Sequence, residues 1–166
     1  MAVRPVLTYP DEQLKRVADP VEDFDDALCR AVADLEETMR AGPAAVGIAA
    51  PQIGWDRRVV IIDASAKPQW PNHGRLVLVN PEIIAWEGSV IGREGCLSVP
   101  DYTGNVVRAE RLTLEARDER GRQQRYEMEG FEARVAQHEI DHLNGLLFID
   151  RVVSRRNDLF RRKVYR

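Results

Sequence analysis

Histidine and cysteine are scarce in this sequence, which contains three histidines and two cysteines among its 166 residues. Two cysteines are too few for a disulfide framework, so we interpret them as thiols with separate roles. Apolar runs of transmembrane length are also missing. The segment from Met1 to Pro10 has neither the apolar core of a signal peptide nor the Arg- and Ser-rich pattern of a transit peptide. We therefore expect a cytoplasmic protein without a membrane-spanning segment.

Size and composition are those of an ordinary globular protein. The chain has 44% hydrophobic residues and a formal net charge of -3. A chain of this length buries about 70% of its unfolded surface, which supports one core and no second domain. We predict a single domain over residues 1–166, without sequence-specific nucleic-acid binding. The basic segment 151–166 could contact RNA, but a solvated surface is the simpler interpretation.

Residues 137–142 read Gln-His-Glu-Ile-Asp-His and contain an HExxH motif. Residues four apart lie on one face of a helix, so His138 and His142 can reach a single metal ion. Glu139 would then lie beside the metal as a base. The alternative is a buried helix with two hydrogen-bonded histidines. The scarcity of histidine in this chain makes a chance HExxH rare and favours a metal site.

A catalytic site of this type needs a third protein ligand and one open coordination position. Metzincins place a histidine where this chain has Phe148, and no glutamate follows Glu139. The third ligand is therefore expected upstream of the motif. The candidates there are His73, Cys29 and Cys96.

The surroundings of these candidates differ. Cys29 lies within a predicted helix and is interpreted as a small buried hydrophobic residue. His73 lies in a turn-like sequence and is interpreted as an exposed loop residue. Cys96 follows a glycine, has polar neighbours and lacks a helical apolar pattern around it. Cys96, His138 and His142 would supply one sulfur and two nitrogen ligands, a set suited to a tetrahedral ion with one water position.

Apolar periodicity predicts two helices. The first is expected over 24–40, with Asp23 as its N-cap and Gly42 after its end. The second carries the HExxH motif, with Gly130 before it and Gly145 placed to end it.

The remaining apolar segments predict strands. The small residues before Gln52 permit close approach to the main chain, although a tightly packed strand is the alternative. Residues 112–118 and 123–128 are separated by a short turn and predict an antiparallel hairpin. Further strands are expected at 59–62, 76–79, 83–86 and 106–107.

Three motifs together resemble the peptide deformylase family. In order they are 47–52 (Gly-Ile-Ala-Ala-Pro-Gln), 94–98 (Glu-Gly-Cys-Leu-Ser) and 137–142 (Gln-His-Glu-Ile-Asp-His). The resemblance extends along nearly the whole chain. It implies an α+β fold in which antiparallel β-sheets surround a central HExxH helix.

The resemblance implies hydrolysis of the N-formyl group from the N-terminal formylmethionine of nascent polypeptides, with release of formate. It places a metal ion on Cys96, His138 and His142, with Fe(II) as the usual native metal and Zn, Ni or Co as substitutes. N-formylmethionyl nascent peptides are the expected partners. Transient contact with the ribosome through the basic segment 151–166 is a further expectation.

The resemblance also implies roles for residues around the metal. Glu139 takes the acid/base position, and Gln52 and the backbone N–H of Leu97 take the positions that hold the developing oxyanion. An apolar groove for the methionine side chain is expected along the motif helix. The expected substrate-binding residues are Val46, Gly47, Glu94, Phe131 and Val135.

Two positions depart from the family pattern. Ala45 stands where the family usually has glycine, and Thr103 stands near a position where many members carry a basic residue. Both concern how residues beyond the formylmethionine are bound, so peptide preference does not carry over. A small metallopeptidase would need the missing downstream ligand. A non-catalytic metal-binding relative would have no need for Glu139 and Gln52.

Overall fold

The computed structural model describes residues 2–162, and residues 163–166 of the basic segment lie outside this range. The described chain contains two α-helices, eight strands and short 3-10 turns. The helices are α1 (Asp26–Ala41) and α2 (Gly130–Leu143). The strands are β1 (Gly47–Ala49), β2 (Val59–Asp63), β3 (Arg75–Glu87), β4 (Val90–Cys96), β5 (Val99–Arg108), β6 (Arg111–Arg117), β7 (Gln123–Glu129) and β8 (Leu159–Arg161).

The strands form two antiparallel sheets. One has five strands in the order β1-β2-β3-β6-β7, and the other has three in the order β4-β5-β8. The predicted hairpin is the β6-β7 pair, in which Arg117 lies opposite Gln123. The α+β class with antiparallel sheets in a single small domain is therefore confirmed. Neither described helix is long and apolar enough to cross a membrane.

The start of α1 differs from the prediction. The helix begins at Asp26, and its N-cap is Asp25 rather than Asp23. The Asp25 carboxylate accepts a hydrogen bond from the backbone N–H of Leu28 at 3.0 Å, which satisfies one of the free donors of the first turn. The predicted end is confirmed, because Gly42 is the C-cap.

β3 is one strand where the sequence predicted two. Its register with β6 shifts between Val79 and Glu82, at Asn80, which has a φ of 52°. The Asn80 side chain accepts from the N–H of Val21 at 2.8 Å and donates to its carbonyl at 3.0 Å. Pro81 cannot donate a ladder hydrogen bond. The two residues produce an irregularity within a continuous strand rather than a break.

α2 carries the HExxH residues, and glycines lie at its two ends as predicted. Gly130 is its first residue, with φ 58°, and Gly145 follows its C-cap, with φ 78°. The helix contacts β1, β2, β6 and β7. α2 also carries buried polar side chains, and such groups need hydrogen-bond partners. These side chains are Glu132, His138, Glu139, Asp141 and His142.

Candidate metal and active site

Three buried side chains meet where the end of β4 approaches α2. Cys96 is the last residue of β4, and His138 and His142 lie one turn apart on α2. Their ligand atoms all lie within 4.8 Å of one another, and the Sγ of Cys96 is 3.4 Å from the Nε2 of His142. Thiolate sulfur and imidazole nitrogen are common ligands of Zn and related divalent metals. The three residues could therefore hold a metal ion.

The two imidazole rings have different surroundings. The Nδ1 of His138 is 2.9 Å from the Oε1 of Glu94, which orients the ring and leaves its Nε2 for a metal. The Nδ1 of His142 is buried and has no hydrogen-bond partner among the described residues. Burial, with the positive charges of His138 and Arg108, holds the pKa of His142 well below its ordinary value. Neutral imidazole is the form that binds metal, so His142 is held in that form. One thiolate and two imidazoles are a donor set that fits a metal ion.

Glu94 is part of a buried ionic network behind His138. Arg108 donates to its two carboxylate oxygens at 2.8 and 2.9 Å, and Arg134 donates to it at 2.6 Å. Arg108 also donates to Asp141 at 2.6 Å. Burial raises the pKa of Glu94, but hydrogen bonds from Arg108 and His138 outweigh it and hold the pKa well below its ordinary value. An ionised Glu94 is thus fixed against the His138 ring.

Glu139 follows His138 on α2 and is only 4% exposed. Its Oε1 has no hydrogen-bond partner among the described residues. A Cβ added at Gly47 would lie 2.6 Å from its Oε2, so glycine is what leaves room for this carboxylate. Burial raises the pKa of Glu139 to about 7, although His138 lowers it, and a nearby cation would lower it further. A carboxylate placed in this way is suited to accept and return a proton.

Gln52 has its side-chain amide held in one orientation. The N–H of Ala49 donates to its Oε1 at 2.9 Å. Its Nε2 donates to the Oγ of Ser98 at 3.0 Å and lies 3.5 Å from the Sγ of Cys96. Leu97 lies between Cys96 and Ser98, in the turn after β4. The amide donor of Gln52 and the backbone of Leu97 are therefore both adjacent to Cys96.

The apolar residues predicted to bind substrate belong to one hydrophobic cluster. Val135 of α2 is buried, and Val46 and Phe131 pack against the same cluster as partly buried side chains. Val46 directly precedes Gly47, which contacts Glu139. The three side chains thus belong to one core cluster, and their contact with substrate stays a prediction.

Comparison with known proteins assigns the family. The sequence pattern of the polypeptide deformylase family matches residues 3–158. The chain belongs to this family. As a peptide deformylase family member it is a hydrolase of the deformylase class, and metal dependence is general to the family.

Relatives of the peptide deformylase family match over nearly the full chain. A peptide deformylase of Acidobacterium capsulatum is 44% identical over 166 residues, covering 99% of this chain and 95% of the relative. The crystal structure of the peptide deformylase from Thermotoga maritima is 34% identical with a TM-score of 0.85, covering 93% of this chain and 100% of that chain. A Met-Ala-Ser-bound class I type b peptide deformylase from Acinetobacter baumannii is 38% identical with a TM-score of 0.82, covering 91% of this chain and 99% of that chain.

Cys29 and His73 were the other two candidates for the third metal ligand, and both lie away from the motif histidines. Cys29 is half-buried on α1, with its Sγ 3.9 Å from the carbonyl oxygen of Glu119. His73 lies in an exposed loop, as predicted, and its Nδ1 is 2.7 Å from the buried Glu132. Within residues 2–162, Cys96 is the one candidate that joins the two motif histidines.

Ser98 and Arg108 also belong to the site, and neither was predicted from the sequence. Ser98 was visible only as part of the second motif, and its bond to Gln52 depends on how two distant segments pack. Arg108 was missed because the predicted strand ended at 107, whereas β5 continues to Arg108. Gly104 and Val106 on the same strand are buried, and alternate strand residues share a face. A charged residue in this buried series needs a partner, which is what the ionic network supplies.

Proposed function

We propose that this protein removes the N-formyl group from the N-terminal formylmethionine of newly synthesised polypeptides and releases formate. The observation that carries this proposal is the convergence of Cys96, His138 and His142 within 4.8 Å of one another, beside the buried carboxylate of Glu139. The Acinetobacter baumannii relative was solved with Met-Ala-Ser bound, which is the peptide that deformylation of formyl-Met-Ala-Ser leaves. We assign the activity to one catalytic domain over residues 1–166, centred on the HExxH helix and acting in the cytoplasm.

The site divides the chemistry among its residues. A metal ion held by Cys96, His138 and His142 would polarise the formyl carbonyl and lower the pKa of a bound water. Glu139 accepts the proton of the attacking water at its unpartnered Oε1 and returns it to the departing amine. Glu94 was predicted to contact substrate. Because both of its oxygens bond to arginines and one of them to His138, we instead propose that it positions the His138 ring.

The oxyanion that forms at the formyl carbonyl needs donors that are already in place. We propose the Nε2 of Gln52 and the backbone N–H of Leu97 for this role. The amide of Gln52 cannot reverse without losing the hydrogen bond from Ala49 to its Oε1. The Nε2 also donates to the Oγ of Ser98 at 3.0 Å. This prior ordering means that little reorganisation is required when charge develops.

Gln52→Ala is expected to lower kcat by roughly 10²- to 10³-fold, the usual cost of losing one oxyanion donor. Metal content should stay at the wild-type level, since Gln52 is not one of the proposed ligands. Gln137→Ala is the matched control, because the Gln137 amide bonds to the backbone of Ala109 and Ala133. Steady-state kinetics on formyl-Met-Ala-Ser checks both variants. An effect on KM alone would place Gln52 in ground-state binding instead.

The proposed function is tested by formate release from formyl-Met-Ala-Ser, with acetyl-Met-Ala-Ser as the matched substrate. A pocket that merely excludes a methyl group discriminates by roughly 10- to 200-fold. Here the added methyl must also move the carbonyl away from both oxyanion donors, because the backbone at Gly47 leaves little space in the site. We expect the formyl peptide to be preferred by more than this range in kcat/KM. Similar values for the two peptides would exclude the deformylase assignment.

The apolar groove and the metal complete the proposal. We propose that Val46, Phe131 and Val135, which belong to one hydrophobic cluster, bind the unbranched methionine side chain, with Gly47 as the close backbone. We propose Fe(II) as the native metal and Zn, Ni or Co as substitutes. Because sulfur and imidazole ligands suit several of these ions, support for Fe(II) comes from the family resemblance alone. Metal analysis of anaerobically purified protein identifies the ion directly.

The proposal includes a transient contact with the ribosome through the C-terminal segment. The described part of the segment includes exposed arginines such as Arg155 and Arg156. Arg151 is instead bonded to Asp141 at 2.6 Å, so its charge is partly neutralised. The basic character of 151–162 is compatible with transient contact to RNA and with no sequence preference.

A further inference from the structure

Each of the two sheets has an edge strand that leads to the candidate metal site. β1 is an edge strand of the five-stranded sheet, and β4 is an edge strand of the three-stranded sheet. β1 begins at Gly47, against Glu139, and β4 ends at Cys96. Extended peptides bind by adding to such edges. Given the proposed function, the residues that follow the formylmethionine would run beside one or both of these edges.

Arg162 reaches the β4 edge from a distant part of the chain. It follows β8, and its backbone N–H donates to the carbonyl of Asp101 at 2.7 Å. Its side chain lies over β5 and against β4. A Cβ added at Gly95 would overlap the Nη2 of Arg162 and would lie 3.4 Å from the Cγ2 of Thr103. The guanidinium therefore rests on the backbone of Gly95, the residue before Cys96.

The Arg162 guanidinium has donor capacity to spare. Its Nε is buried and has no hydrogen-bond partner in the part of the chain that the structure describes. Arg93, a second cation on this face, already has partners. It donates to Asn105 and Thr103 at 3.1 and 3.3 Å and lies 3.8 Å from the centre of the Phe160 ring. Buried donors without partners carry a free-energy cost that a ligand can remove.

We propose that Arg162 is a specificity-determining residue that binds a carboxylate of the substrate, on the second or third residue after the formyl group. An extended peptide advances about 3.4 Å per residue, so the second and third residues lie roughly 7 to 10 Å from a formyl group at Cys96, within reach of a long side chain that rests on Gly95. Guanidinium donors pair with carboxylates through two parallel hydrogen bonds. This inference rests on the proposed function and names the class of peptide that the same site prefers.

The experiment compares amidated formyl peptides that differ only in one charge: formyl-Met-Asp-Ala against formyl-Met-Asn-Ala, and formyl-Met-Ala-Asp against formyl-Met-Ala-Asn. For the metal-loaded wild-type protein, one Asp peptide should exceed its Asn partner about fivefold in kcat/KM, mainly through KM, as expected for a partly exposed ion pair. Arg162→Gln should remove this preference. Arg162→Lys should keep part of it, since it retains the charge without the planar fork.

Arg161→Gln is the control, because it removes the same charge from the neighbouring, exposed position. It should retain the Asp preference. Equal rates on Asp and Asn peptides by an active wild-type protein would overturn the inference while leaving the deformylase assignment intact. Equal loss of the preference in Arg161→Gln and Arg162→Gln would also overturn it, because the effect would then be a general field. Absence of formate release from every peptide would instead refute the proposed function, and this inference with it.

Discussion

Cys96→Ala is expected to abolish stoichiometric metal binding in a chain that still folds. Cys96 is the proposed thiolate ligand. Without it, the remaining ligands are two imidazoles, which lie 42 and 46 positions further along the chain. Loss of a residue that only hydrogen-bonds to a metal ligand lowers metal affinity by roughly 10- to 100-fold, and loss of a ligand itself should lower the affinity further. The side chain is small and belongs to a minor hydrophobic cluster with Leu147 and Phe148, so the folded state should survive.

Metal analysis after exhaustive dialysis measures the effect directly. Cys29→Ala is the matched control, because Cys29 is the other cysteine of the chain and lies outside the ligand cluster. Thermal unfolding gives a second readout. An ion that binds only the native state at 100 times its Kd stabilises it by about 2.7 kcal/mol, so a chelator should lower the Tm of wild type and of Cys29→Ala by roughly 5 to 10 °C. It should leave the Tm of Cys96→Ala unchanged. Normal metal content in Cys96→Ala would refute the assigned site.

Glu139→Gln is expected to keep its metal and lose roughly 10²- to 10⁴-fold in kcat, the usual contribution of a general acid–base group. The amide has nearly the shape of the carboxylate, so the tight fit against Gly47 is preserved. It cannot accept the proton of the attacking water, however. The loss should therefore appear in kcat, with little change in KM.

Glu132→Gln separates this chemical effect from a general effect of altering α2. Glu132 is on the same helix and is 1% exposed, but it bonds to His73 rather than facing the ligand cluster. We expect Glu132→Gln to retain most of the wild-type kcat when metal content is equal. Full turnover in Glu139→Gln would exclude Glu139 as the proton acceptor. Equal losses in the two variants would attribute the effect to the helix.

Strand boundaries show where local patterns were insufficient. β4 was not predicted, because its sequence mixes two glycines and two charged residues with few apolar ones. The strand exists because β5 pairs with it from Val90 to Cys96. The α1 N-cap was misplaced for a related reason. Several acids precede the helix, and the one that bonds to the first turn is decided by backbone geometry rather than by residue type.

Features that depend on residues close together in the chain could be predicted from the sequence. Helical spacing places His138 and His142 on one face with Glu139 beside them, and a short turn makes the β6-β7 hairpin, because these geometries are set within a few residues. The three sequence motifs predicted the peptide deformylase family. The residue pairs that complete the site from distant segments could be identified from the tertiary structure alone. Glu94 behind His138, Gly47 against Glu139 and Arg162 over Gly95 each join segments far apart in the chain. Such pairs follow from strand register and from the packing of sheets on α2, which local sequence patterns do not encode.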